Sequence, residues 1–320
     1  VTGARARGAA RLLALLLLAG LFALAARRLD LARVVAELAQ IHPFWIALAL
    51  LCNVAILPLW ALQWSLLAPT HPRPSVARML GVVAMTSSVL NTTPLLVGEA
   101  AGIFFLVTRV ALERGAALSV LAMDQLLVGI AKVCVLMLAA WTNDLPAWME
   151  HGRTTLGAAV GALLLLLVGV AWRADALSRF AAHALPARLA QLIDAAGVAL
   201  APLRSPPRGG GALLLAFAKK IAELAAIICI QRAFGISLPL SSALLVLAAL
   251  NLATLLPIVP GNVGIYEGAV VLAYGWLGVN AERALGIAVV QHACYFAALA
   301  LPGYRWLARV VVPRSPAAAS

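Results

Sequence analysis

The chain has 320 residues, 64% of them hydrophobic and only 11% charged, with a mean hydropathy of +1.00. Soluble domains carry about 25% charged and 45–50% apolar residues, so a disordered chain and an ordinary soluble globule are both excluded, in favour of an all-α polytopic membrane protein. The formal charge of +12 does not indicate nucleic acid, because the charges flank apolar runs as topology signals do.

Uncharged stretches predict spans near 12–26, 44–68, 79–97, 116–141, 154–172, 212–234, 240–259 and 284–304, about eight apolar segments. Most approach the roughly 20 residues that a crossing helix requires. The first is shorter and ends in Ala23-Leu24-Ala25, which resembles a signal-peptidase site, so its retention or cleavage stays open. Span 79–97 ends at Pro94 and Gly98-Glu99, and the next apolar run, Ala100 to Thr108, has nine residues before Arg109. That pattern predicts a hairpin returning to the face it entered. A second hairpin is expected where 240–256 meets Pro257, Pro260, Gly261, Gly264 and Glu267, followed by a short helix of about eleven residues to Gly278. Broken helices at membrane depth survive only when buried in protein or lining a wet cavity. The expected architecture is thus about six full crossings plus two re-entrant broken hairpins in a single transmembrane domain, 1–320.

Arginine bias orients the chain. Linker 173–211 holds Arg173, Arg179, Arg188, Arg204 and Arg208 with two acids and is expected in the cytoplasm, whereas 142–153, with Arg153, Asp144 and Glu150, is expected outside. Both termini then lie inside, in a bacterial inner membrane, since lysine is confined to Lys132, Lys219 and Lys220 as in a GC-rich coding bias. Loop 27–43, with three arginines, violates the rule in this topology. The linker itself reads as an amphipathic surface helix ending in a Pro/Gly hinge at 205–211.

Pro94-Leu95-Leu96-Val97-Gly98 and Pro257-Ile258-Val259-Pro260-Gly261 share Pro-x-x-x-Gly at a constant offset of 163 residues. The same offset carries 44–68 onto 207–231 and 116–141 onto 279–304, so a first half at 10–141 and a second at 154–172 plus 212–304 are expected to form an inverted repeat. Inverted repeats with broken helices are the signature of alternating-access transporters whose site lies at the repeat interface.

The residues that could carry chemistry follow from the breaks. Glu99 and Glu267 each stand in or near the first turn after one, where a helix N-terminus stabilises a carboxylate. Each either caps its own helix or meets a cationic group or proton. Pro94, Gly98, Pro260, Gly261, Asn262 and Gly264 shape the breaks, and 260–264 could offer a nest of N–H groups to a lipid phosphate. Asp124 and Lys132 sit roughly 12 Å into their span at 1.5 Å per residue, and should face the bundle interior. Lys219, Lys220 and Glu223 are their candidate partners, unless Lys219 and Glu223 pair with each other at i and i+4. For this cluster, structural pairing and a polar translocation path are both open. His292 reads either as a proton relay or as an interhelical hydrogen bond. The four cysteines lie inside apolar segments without a CxxC and carry no redox or metal argument. No Walker A, GxSxG or HExxH motif is present, so ATP-driven transport, enzymatic activity and a cofactor are not expected.

Trp60-Ala61-Leu62-Gln63-Trp64, Pro94 to Glu99, and Leu256 to Glu267 followed by Leu277-Gly278-Val279 resemble the transmembrane region of lysylphosphatidylglycerol synthases and their stand-alone flippase-like relatives, over about 10–310. The resemblance implies lipid translocation and no carry-over of synthase activity, which in the family belongs to a separate soluble domain. Where relatives tend to carry basic residues, this chain has Ala101, Gly102, Ile103, Gln125 and Gln291, and Asn262 replaces a usual glycine. The expected function is therefore a flippase or transporter for a membrane lipid, whether phospholipid, hopanoid or glycolipid. A non-catalytic scaffold of a lipid-synthesis pathway is the alternative, and homo-oligomers or a lipid-synthesis enzyme are the conceivable protein partners. An intramembrane transferase lacks a nucleophile and base at useful spacing.

Overall fold

The computed structural model describes residues 30–69, 74–94, 97–143, 205–255 and 259–311, with a few scattered positions between 158 and 186. Span 12–26, nearly all of span 154–172, most of the linker, and Leu95, Leu96 and Pro257 lie outside the described residues. The chain is an all-α, multi-helix membrane protein. In order come α1 (Leu31–Ala39), α2 (Pro43–Val54), α3 (Ile56–Leu67), α4 (Val76–Thr92), α5 (Val97–Val110), α6 (Arg114–Thr142), α7 (Pro206–Ala233), α8 (Leu240–Ala253), a 3₁₀ turn at Pro260–Asn262, α9 (Ile265–Trp276), α10 (Ala281–Leu299) and α11 (Tyr304–Val311). Among the described residues three stretches, Pro43–Leu67, Arg114–Thr142 and Ala281–Ala308, are long and apolar enough to cross a membrane. Helix α7 is as long as these, with 28 residues, but carries Lys219, Lys220 and Glu223 along its length.

Local chemistry sets the boundaries. Asp30 caps α1 by accepting from the N–H groups of Ala32 (3.0 Å) and Arg33 (3.3 Å). The interruption between α2 and α3 falls at Ala55 because Pro58 has no N–H for the carbonyl four residues back and its ring crowds that carbonyl. Asn280 caps α10 through the Arg283 N–H at 2.8 Å. Gly278, at φ +78, ends α9 in the left-handed region that a residue with a Cβ rarely enters.

Helices α4 and α5 form a tight antiparallel hairpin. A Cβ on Gly98 would stand 2.5 Å from the Leu90 Cα, and one turn further on a Cβ on Gly102 would stand 3.1 Å from the Thr86 side chain. Backbones this close are a small-residue solution to helix packing in lipid. The long helices are antiparallel as well. Arg208, at the start of α7, donates to the carbonyls of Leu66 (3.1 and 2.8 Å) and Ala68 (2.5 Å) at the end of α3. At the other end, the His42 N–H before α2 donates to the Ala233 carbonyl at the end of α7, 3.0 Å away.

Further contacts come in matched pairs. Helix α10 packs on α2 while α7 packs on α6, and α10 packs on α4 while α8 packs on α6. Asn143, at the end of α6, donates to the Ser241 carbonyl at the start of α8 (3.0 Å). Trp306, 163 positions after Asn143, lies against Gly81 near the start of α4. Two apolar cores result. One gathers Trp64, Met79, Val83, Leu106, Met123 and Leu127 from α3 to α6. The other gathers Ile230, Leu247, Val270, Tyr274 and Ile287 from α7 to α10. Leu51, Leu118, Leu214, Ile221 and Leu272 point outward, more than half exposed, as side chains facing acyl chains do.

Candidate functional site

Between the two cores lies a cavity of about 260 Å³, with walls drawn from every helix between α2 and α10. Its wall carries buried ion pairs. Asp124 of α6 is 2% exposed and Lys219 of α7 is 5% exposed, and they face each other at 3.3 Å. The second carboxylate oxygen of Asp124 accepts from the Trp60 indole N–H of α3 at 3.0 Å. The Lys219 ammonium also lies over the Trp60 ring, 5.3 Å from its centroid. A buried carboxylate and ammonium are thus compensated by charge, hydrogen bond and aromatic face together, as a low-dielectric site demands.

Lys220, the next residue, points elsewhere. Its ammonium bonds Glu223 Oε2 at 2.6 Å and the Asn251 side-chain oxygen of α8 at 3.2 Å. Of the two pairings left open by the sequence, the one across to Asp124 forms and the i, i+4 pair of Lys219 with Glu223 does not: Glu223 takes Lys220 at i, i+3, because one residue of helical rotation aims Lys219 across to α6.

Glu267 acts as a cap. Its Oε2 accepts from the Gly264 N–H at 2.6 Å, and its Oε1 meets His292 Nδ1 of α10, also at 2.6 Å. Tyr266 stacks on His292 with ring centroids 4.2 Å apart, and its hydroxyl accepts from Gln291 Nε2 at 2.9 Å. With the Gly264 N–H engaged by Glu267 and the Asn262 N–H donating to the Val259 carbonyl at 2.9 Å, two donors of the expected phosphate nest are already occupied.

Of the residues singled out from sequence, Glu99, Asp124, Lys132, Lys219, Lys220, Glu223, Gly261 and Asn262 line the cavity. Pro94, Gly98, Pro260, Gly264 and Glu267 shape or brace its wall without lining it. Gly261, at φ +64, would place a Cβ 3.2 Å from the Asn91 carbonyl of α4, so the two breaks meet at the cavity. Sequence reasoning missed Asn53, Trp60, Gln125, Tyr266, Gln291 and Tyr295 as lining residues. The available signal was a neutral polar or aromatic side chain inside an apolar span, whereas the acids, the lysines and the residues of the two breaks were followed as site residues.

Several polar atoms on this wall have no hydrogen-bond partner among the described residues: Glu99 Oε2, Asn251 Nδ2, Asn262 Oδ1 and Gln291 Oε1. Lys132 likewise makes no ion pair or hydrogen bond among them. Among the described residues no three His, Cys, Asp or Glu side chains gather to hold a metal ion.

Residues 11–303 match the family described as the lysylphosphatidylglycerol synthase TM region. The chain belongs to this family. It matches no curated protein and no solved structure. The match covers the transmembrane region, and so the cavity, its ion pairs and both breaks lie inside the family's shared part. A polytopic membrane protein of the flippase-like class follows from it.

Proposed function

We propose that this chain is a lipid flippase of the bacterial inner membrane, in which a lipid headgroup crosses through the cavity while its acyl chains stay in the bilayer. The carrying observation is the set of polar atoms on the cavity wall that lack partners among the described residues, since polar groups buried inside a membrane protein are costly unless they serve a passing ligand. A volume of about 260 Å³ falls below the roughly 300–1,000 Å³ that encloses a whole drug-sized ligand. It suits a headgroup.

An inverted repeat with two re-entrant hairpins is part of this proposal. Its support is the antiparallel run of α2–α3 against α7 and the matched contacts of α4 and α8 with the long helices of the other half. If α7 starts at the arginine-rich cytoplasmic face, α4 also starts there and α8 starts outside. In a cysteine-free background, Val76→Cys and Leu240→Cys, at exposed positions (44% and 57%), should react with an impermeant maleimide from opposite faces. Labelling of both from one face overturns the inverted topology.

Transport is tested in proteoliposomes carrying fluorescent lipids in both leaflets and bleached from outside. Wild type should move one lipid class faster than protein-free vesicles. Glu99→Gln should slow it by roughly tenfold, the equivalent of about 1.4 kcal/mol, while eluting as a folded particle. If no lipid class moves, yet Glu99→Gln leaves the lipid composition of cells unchanged, a scaffold role replaces transport.

A further inference from the structure

The geometry points to a headgroup that carries one anionic group and one primary ammonium, bound in the cavity between Lys132 and Glu99. This deepens the lipid reading above and rests on it for the source of the headgroup.

Six Lys, Asp and Glu side chains line the cavity, Lys132, Lys219 and Lys220 against Glu99, Asp124 and Glu223, beside Tyr266, Tyr295 and His292, the last engaged by Glu267. Two pairs are made within the wall, Lys219 with Asp124 and Lys220 with Glu223. Among the described residues one ammonium, Lys132, and one carboxylate, Glu99, remain without a counter-charge in contact. A single unpaired charge inside a membrane protein costs several kcal/mol unless a ligand or water compensates it. A ligand bearing both signs compensates both.

The neutral groups sharpen the chemistry. Three acceptor oxygens without partners among the described residues, Glu99 Oε2, Asn262 Oδ1 and Gln291 Oε1, belong to the wall. A primary ammonium has three N–H donors, and a quaternary one has none. Asn251 adds a donor for the anion: its oxygen accepts from Lys220, which fixes the amide and leaves Nδ2 free. Asn251 and Gln291 are 7% and 3% exposed, so neither is an ordinary surface amide. An uncharged glycolipid or hopanoid would leave Lys132 and Glu99 both uncompensated, and a plain anionic lipid would leave Glu99 so.

The test uses the full chain in detergent and lipids with identical acyl chains: phosphatidylethanolamine, phosphatidylcholine, phosphatidylglycerol and a monoglucosyl diacylglycerol. Binding is read by native mass spectrometry and by thermal stabilisation. Phosphatidylethanolamine should bind roughly tenfold more tightly than the other three. In Glu99→Gln its preference over phosphatidylcholine should vanish, and in Lys132→Gln its preference over the glucosyl lipid should vanish. The wild-type ranking needs no variant, so misfolding of either does not rescue the proposal: equal binding of phosphatidylcholine or the glucosyl lipid overturns it. Soluble phosphoethanolamine forms a separate arm. If it binds as tightly as the lipid, the zwitterionic site stands and the lipid source falls. If the lipid binds selectively but never crosses in proteoliposomes, the site stands and the flippase reading falls.

Discussion

Asp124→Asn is expected to destabilise the protein by about 3–5 kcal/mol, the usual cost of removing one partner from a buried ion pair. Asparagine keeps an acceptor for the Trp60 indole but leaves the Lys219 ammonium, 5% exposed, without its carboxylate at 3.3 Å. The Trp60 ring, 5.3 Å away, and the more distant Glu223 carboxylate then remain to attract it, and an aromatic face is worth about 2 kcal/mol when desolvated. The loss should appear as a lower temperature at which half the detergent-solubilised protein still elutes as a monodisperse peak. Adding Lys219→Met should restore most of that loss, because an apolar side chain of similar length needs no counter-charge. If the double variant is as unstable as the single one, the damage lies in packing rather than in charge. A double variant that is stable but inactive in proteoliposomes would place the pair in the translocation path.

Gly98→Ala should cost about 1–3 kcal/mol or more by overpacking. A Cβ there meets Leu90 at its Cα (2.5 Å) and Cβ (2.7 Å), so helix α4 itself must retreat. Gly303→Ala faces the same difficulty against the Ala84 carbonyl and the Ser88 hydroxyl. Gly129→Ala is the control, since nothing lies within 4 Å of a Cβ in the middle of α6. It should be neutral or more stable by up to about 1 kcal/mol, the helix propensity difference. The same heat-and-elute measurement separates the three. Spreading of the α4–α5 hairpin in Gly98→Ala would also shift Glu99, one residue further on, so headgroup selectivity should weaken with stability. Equal stability of Gly98→Ala and Gly129→Ala would mean that the hairpin is looser than its spacing implies.

Helix ends were largely legible in the sequence. The predicted span 116–141 corresponds to Arg114–Thr142 and the span 44–68 to Pro43–Leu67, because charges, prolines and glycines stop apolar helices through local chemistry. The break after α4 was legible for the same reason, with Pro94 and Gly98 as its punctuation. Pro58 carried a readable signal too, the interruption at Ala55, that a search for uncharged runs passes over. Within the site, the acids and lysines stood out because charge in an apolar run is rare. His292 and Gln291 stood out less, since a neutral polar side chain in a helix has many bland explanations.

What the sequence alone determined is the membrane-embedded all-α class, the bounds of α6 and of the α2–α3 stretch and the identity of the charges in the apolar runs, since each depends on residues within a few turns of one another. The tertiary structure decided which charges cancel. Lys219 and Lys220 are adjacent, so about 100° of helical rotation separates them, and only the packing of α7 between α6 and α8 assigns one to Asp124 and the other to Glu223 and Asn251. It likewise braced the Glu267 cap with His292 and, among the described residues, left Glu99 and Lys132 without counter-charges on the cavity wall. Side-chain direction across a gap between helices depends on rotation, tilt and approach distance together, and a one-dimensional pattern records none of these.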